Sequence, residues 1–383
     1  MSAVSSDVVI IGGGIMGSSA AFFLSRRGRS VTLLESGLIG QQASGTNFGN
    51  TRRQGRSLDQ LALANRASDI WQRSKELLGS DIKYLESGHL RICYRDRPET
   101  AAAFEQYALD AKHCGLELET FSGAMLRKRF PFLGGDVLAG SYSARDGHAN
   151  PRLVSPAFGR AAVREGARVF ENTSVISVEK CGEDFRIHSE DGQLFRAPVL
   201  LIAAGAWSDT LVAKFGDSIP LTSFAPTMSV TEPVTYSIFP SVGVTTSKKI
   251  EDVYFRQIPR GNVIIGGSTR APAYPDIRRA YVEPQNTLDQ LQQIRRLAPA
   301  LARLKIIRVW SGVEGYLPDS QPILGPSDHV SGLYYAFGFS GAGFQIGPGV
   351  GDMLAELIDT GTTDISLDPY RISRFSNTQV KAV

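Results

Sequence analysis

Cysteine is scarce, with only Cys93, Cys114 and Cys181 in 383 residues, an odd number set far apart. No C-x-x-C pair or Cys/His ligand spacing accompanies them, which argues against a disulfide framework or a zinc site and for a reducing compartment. No apolar run approaches the roughly 20 residues of a membrane span, and residues 1–6 lack the charged start of a secretory leader. A net charge of +3 is too small a field to recruit nucleic acid or an anionic membrane, and the arginines are not interleaved with aromatics in runs. None of the five histidines sits beside a G-x-S-x-G elbow, so Ser/His/Asp hydrolysis has no support. Internal repeats and low-complexity segments are absent too. The expected location is the cytoplasm, with any peripheral membrane contact made through a partner.

The length and the 42% hydrophobic content suit two domains with their own cores. Four β-branched residues end the run 7–11 before a glycine cluster and predict a buried strand. Residues 15–27 predict a helix stopped near Gly28, and 30–35 a second strand. Further helices are expected over 59–78, 152–165, 284–297 and 347–359, with strands at 167–171, two more within 174–197, and others at 199–203, 253–256, 262–265 and 333–337. Strand-turn-helix junctions thus fall at the start, middle and end of the chain. They imply an α/β fold with a discontinuous Rossmann-type domain (1–80, 146–215, 311–383) and a β-rich substrate domain inserted as 81–145 and 216–310.

Gly12-Gly13-Gly14-Ile15-Met16-Gly17 satisfies G-x-G-x-x-G between the first strand and helix. Gly12 allows the tight turn, Gly14 the approach of a pyrophosphate to the backbone, and Gly17 close helix–strand packing. The pyrophosphate would lie on the free N–H groups of the helix N-terminus. Glu35, at the end of the second strand, is placed to accept from ribose hydroxyls and would repel a 2′-phosphate, which disfavours NADP. From this motif alone, FAD and NAD both remain open.

Five pieces, in order, resemble the D-amino-acid oxidase, glycine oxidase and sarcosine oxidase family of FAD-dependent enzymes. They are the first βαβ unit, Asp146-Gly147-His148-Ala149-Asn150-Pro151, the run Leu201 to Trp207 with its Ala-Ala-Gly-Ala-Trp turn, Trp310-Ser311-Gly312 through Pro326, and Ser340-Gly341-Ala342-Gly343-Phe344. The resemblance covers nearly the whole chain and implies FAD. It also implies flavin contacts at Ser44, Val175, Ala204, Gly205, Trp207, Gly341, Gly343, Phe344 and Gln345, alongside Gly12, Gly14, Ile15, Met16, Gly17 and Glu35. Some members attach flavin to a cysteine near the late Pro-Asp segment; no cysteine follows Cys181, so non-covalent FAD is expected.

Two family cations are missing. Glu314 stands where the family's carboxylate-clamping arginine would fall, and Gln345 where sarcosine oxidases carry a lysine. Arg52, in Arg52-Arg53-Gln54-Gly55-Arg56, is the leading replacement, because a planar guanidinium bonds both carboxylate oxygens. Arg256 is a second candidate, Tyr254 and Gln345 are expected to orient the substrate, His148 to be structural, and Glu251-Asp252 to be a solvated edge. The chain looks closest to the β subunits of opine oxidases and D-hydroxyproline dehydrogenases. That implies a partner α subunit, sometimes a small iron–sulfur subunit, and an acceptor other than oxygen. The expected reaction is hydride transfer from the carbon of an amino-acid-like amine to flavin N5, leaving an imine. A single-chain oxidase producing hydrogen peroxide and a non-catalytic FAD-binding subunit are the rival readings.

Overall fold

Val8–Ile11 is buried at every position because it lies in the middle of a six-stranded sheet covered on both faces, which is why it reads as an unbroken apolar run. The computed structural model describes residues 3–375; the last eight residues of the expected segment 311–383 lie outside it. In spatial order the sheet runs Ile323–Pro326, Leu333–Phe337, Val199–Ile202, Val8–Ile11, Val31–Leu34 and Arg168–Phe170. All neighbours are parallel except the first pair.

Helices Ile15–Arg26, Pro151–Arg164, Leu61–Gln72 and Gly343–Thr360 share one core against this sheet. The last helix begins four residues before the expected 347. Glycines inside it allow close helix approach: a Cβ at Gly347 would stand 2.8 Å from Ile15, and one at Gly351 would collide with Ser19 Oγ. The other face carries a second core beneath a four-stranded sheet of Val4–Ser5, Leu194–Ala197, Asp184–Ser189 and Val175–Cys181. The stretch 174–197 therefore holds three strands, not two, because the turn at Gly182 is tight enough to split one apparent run.

The remaining strands make a ten-stranded sheet. Its middle pairs Val253–Gln257 with Ser241–Val244, and Ser241–Val244 in parallel with His89–Tyr94, joining stretches far apart in sequence. Asn262–Tyr274 is much longer than the expected 262–265, because it pairs along its length with Thr222–Pro233 through a bulge. Glu314–Tyr316 also joins Thr222–Pro233, so the late strand Ile306–Ser311 and its successor cross from this sheet toward the Rossmann-type one. Helix Pro284–Leu297 closes the third core with Ile294 and Leu297. No helix among the described residues is long and apolar enough to cross a membrane.

Candidate functional site

Gly12 turns out of the first strand at φ +107, where a Cβ would collide with the Ala203 carbonyl. Only glycine lets the chain turn so close beneath the neighbouring strand. The helix that follows has Gly14 as its N-cap, with no side-chain cap bond and no acid in the first turn, so its N-terminus favours an anion. Ser44 Oγ accepts from Ile15 N–H at 2.9 Å. Gly13 and Gly37 N–H groups donate to the two oxygens of Glu35, each at 2.8 Å, fixing the carboxylate at the end of the second strand.

These residues line one end of an elongated cavity of about 420 Å³. Val175 and Ser44 lie on its walls, as do Ala204, Gly205 and Trp207, where a 3₁₀ turn follows the strand Val199–Ile202. Gly341, Gly343 and Phe344 close the far end at the start of helix Gly343–Thr360. The glycine turn, the uncapped helix and the acid at the strand end fit a dinucleotide, with FAD phosphates on the N–H groups after Gly12 and a ribose on Glu35. None of the three cysteines lines this cavity.

Two expected cofactor residues stand elsewhere. Gly17 packs the helix on the loop, since a Cβ there would collide with the Gly12 carbonyl oxygen. Gln345 lines a neighbouring cavity: its Nε2 donates to Ala64 O at 2.8 Å, and its Oε1 is buried without a partner. Arg278, which carries no sequence signal, reaches over the nucleotide cavity. Its guanidinium lies 5.5 Å from the Trp207 ring centroid, and its Nη2 is 3.5 Å from Glu35.

The second cavity, about 430 Å³, adjoins the far end of the first; Asn47, Glu314, Gly341 and Phe344 line both. Arg52, Tyr254 and Gln345 come together on its walls. So do four residues that sequence reasoning missed: Arg91, Arg270, His89 and Asp252. Arg52 Nη1 donates to the Gln54 carbonyl, and Arg56 donates to Arg52 O, Gln60 and Ala342 O. Arg91 donates to Thr245 at 3.0 Å. A Cβ on Gly55 would fall between the Arg91 and Arg52 guanidinium groups. Burial pulls these arginines below their ordinary range, and repulsion from Arg52 adds to it, taking Arg56 to about 9 and Arg91 to about 10. Burial first, then Arg52 and Arg91, hold His89 well below the usual histidine range, so it is neutral at pH 7. None of Arg52, Arg56, Arg91 or Arg270 makes an ion pair among the described residues.

Two expectations are corrected here. Asp252 is not at a solvated edge: it lines this cavity, and burial raises its carboxyl to about 6. Arg256 is not a clamp in it. The strand period puts Arg256 and Tyr254 on one face, but Phe48 wedges against that face, 4.7 Å from Tyr254 and 5.3 Å from the Arg256 guanidinium. Arg256 instead lines a neighbouring cavity of about 1070 Å³, where it donates to Phe48 O at 2.8 Å and contacts His148 Nδ1 at 3.1 Å. His148 is buried, and its backbone bridges to Asn50 and Leu85.

Residues 7–357 match the profile of the family described as FAD dependent oxidoreductase. Glycine oxidase of Geobacillus kaustophilus is 26% identical over 96% of this chain and 97% of its own. One of the subunits of opine oxidase from Rhizobium meliloti is 25% identical over 98% of this chain and 99% of its own. Among solved structures, L-proline dehydrogenase from P. horikoshii superposes with a TM-score of 0.90 at 26% identity, covering 98% of this chain and 99% of that one.

Proposed function

The chain belongs to the FAD-dependent oxidoreductase family and oxidises amines or amino acids at a CH–NH or CH–NH2 group; from that premise we propose that its substrate is an N-substituted or D-amino acid held by its carboxylate. D-Hydroxyproline or an opine fits best. The observation that carries this reading is a group of arginines without ion pairs, buried Arg56 with half-buried Arg52 and Arg91, on the walls of the cavity beside the flavin site. Buried cations are ordinarily paired, and a carboxylate entering between Arg52 and Arg91 would supply the missing partner. The neighbouring loop holds Arg52 in place, while Tyr254 and Gln345 orient the substrate from the walls. Phe48 and Phe344 exclude water. Bound FAD, held non-covalently, would supply the acceptor for the two electrons and the hydrogen removed from the carbon next to nitrogen.

In the same reading residues 1–80, 146–215 and 311–383 bind FAD and the two intervening segments form the substrate domain. The protein acts in the cytoplasm as a dehydrogenase subunit with an α subunit, and sometimes a small iron–sulfur subunit, taking the electrons. The likeness to one subunit of an opine oxidase supports this.

Anaerobic titration of the FAD-loaded protein with sarcosine, glycine, D-proline, cis-4-hydroxy-D-proline, octopine and nopaline tests the reading. One amine is expected to bleach the flavin band, with slow recolouring in air. Fast recolouring with peroxide would make the chain an oxidase, and no bleaching would count against the substrate class. Arg52→Ala is expected to raise KM by roughly tenfold or more, the worth of a charge-assisted hydrogen bond, with flavin content unchanged. An unchanged KM would remove Arg52 from the site.

A further inference from the structure

Glu314 is the acidic side chain that lines both the nucleotide cavity and the substrate cavity, and it makes no ion pair among the described residues. Its Oε2 accepts from Tyr316 Oη at 2.6 Å. The groups facing it are Tyr316 on its own strand, Arg270 from Asn262–Tyr274 and Tyr254 from Val253–Gln257, with the Gly341 N–H from the loop before the last helix. Arg270 does not neutralise it: the guanidinium is stacked on the Tyr316 ring, 3.8 Å from its centroid. A half-buried carboxylate of this kind, hydrogen-bonded and near Arg270 but without an ion-pair partner, is complementary to a cation. The two cavities meet at Glu314, whereas Arg52 and Arg91 line only the substrate cavity. An amino acid with its carboxylate on those arginines can therefore present its nitrogen to Glu314.

We propose that Glu314 is a catalytic residue that receives the substrate's ammonium group and takes one of its protons, leaving the neutral amine that C–N oxidation requires. The inference rests on the carboxylate-binding reading of the arginines. An N–H bond of the ammonium breaks and an O–H bond forms on Glu314; the nitrogen keeps the electron pair, and nothing is oxidised in this step. Tyr316 steers the carboxylate by holding Oε2, so that Oε1 is left for the incoming group.

Burial raises the Glu314 carboxyl, while Tyr316 and Arg270 oppose the rise. The charge is present above that raised value and is lost as pH falls through it, and acceptance of the proton is lost with it.

Two probes that cannot be oxidised at an amine separate charge recognition from carboxylate recognition. Glycine betaine carries a carboxylate and a fixed cation; (methylthio)acetate carries the carboxylate with a neutral sulfur. Binding is read from perturbation of the flavin spectrum of the FAD-loaded protein. At alkaline pH the wild type is expected to prefer betaine by roughly tenfold or more, and to lose that preference on acidification. Glu314→Gln, which keeps the shape and removes the charge, should lose it at every pH while binding (methylthio)acetate within about threefold of wild type. Tyr316→Phe, which keeps the charge and removes a stabilising hydrogen bond, should move the loss to higher pH. With the amine that bleaches the wild-type flavin, the acid limb of the bleaching rate should move up in Glu314→Gln to the pH range in which the free substrate ammonium loses its proton.

A betaine preference that survives in Glu314→Gln overturns the proposal, as do an acid limb that stays at its wild-type pH in that variant and an unmoved midpoint in Tyr316→Phe. A wild type that binds (methylthio)acetate without preferring betaine overturns this inference alone. Failure to bind either probe overturns the carboxylate reading beneath it as well.

Discussion

Asp146→Ala is expected to destabilise the protein by about 3–5 kcal/mol, the usual consequence of removing one partner from a buried ion pair. Asp146 is fully buried, and its carboxylate accepts from three donors of one loop: Arg53 N–H at 3.0 Å, Gln54 N–H at 3.2 Å and Arg53 Nε at 3.2 Å. Without it, the buried Arg53 guanidinium keeps only Asn65 Oδ1, at 3.2 Å, and two backbone donors lose their acceptor. The same loop carries Arg52 and Arg56, so substrate affinity should fall together with stability. Denaturant midpoints and the anaerobic titration read the two effects. Asp146→Asn, which keeps an acceptor oxygen, should fall between wild type and Ala. A midpoint unchanged in Asp146→Ala would mean that the loop is held by other contacts.

Gly17→Ala is expected to abolish flavin retention. The added methyl group would meet the carbonyl oxygen of Gly12, a backbone atom that cannot rotate away, and would lie 3.2 Å from Ile10. Helix Ile15–Arg26 must then lift from the strand, displacing the N–H groups that face the phosphates; overpacking of this kind costs about 1–3 kcal/mol. The purified variant should be colourless, with the ratio of flavin to protein absorbance at least about tenfold lower; an affinity loss of that size needs only about 1.4 kcal/mol. Gly166→Ala is the control. Unlike Gly17 it has positive φ, but its Cβ would meet nothing within 4 Å, so the substitution should cost stability and leave the protein yellow. A yellow Gly17→Ala protein would show that the helix can move without losing the cofactor.

Much of the nucleotide cavity was legible in the sequence because its parts are local. A strand, a glycine turn, a helix and an acid at the next strand end fall within about thirty residues, the span of one mononucleotide-binding unit, and each glycine answers a steric demand that leaves a visible mark. The late loop at Gly341 is legible for the same reason. The substrate cavity is less so. His89 and Arg91 reach it because His89–Tyr94 pairs in parallel with Ser241–Val244, a register with no local sign in either stretch. Asp252 reads as a polar strand end, since alternation gives the faces of a strand and not what covers them. Arg256 illustrates the limit: its spacing from Tyr254 correctly implies a shared face, but not that Phe48, from a loop two hundred residues earlier, would partition it. Gly17 and Gln345 were drawn to the cofactor by motif membership, while their side-chain positions are spent on packing and on the adjacent cavity.

The order of strands in the six-stranded sheet has a consequence for biosynthesis. Val8–Ile11 and its glycine turn leave the ribosome well before their neighbour Val199–Ile202, and Leu333–Phe337 and the loop at Gly341 follow later still. At roughly 5–20 residues per second, the N-terminal unit waits on the order of 15–60 s for the last wall of its own binding site. Over that interval the nascent chain carries an apolar strand with an open edge, and the cofactor can be enclosed only after the loop at Gly341 has emerged. Until then the supply of flavin competes with association of the unfinished sheet edges.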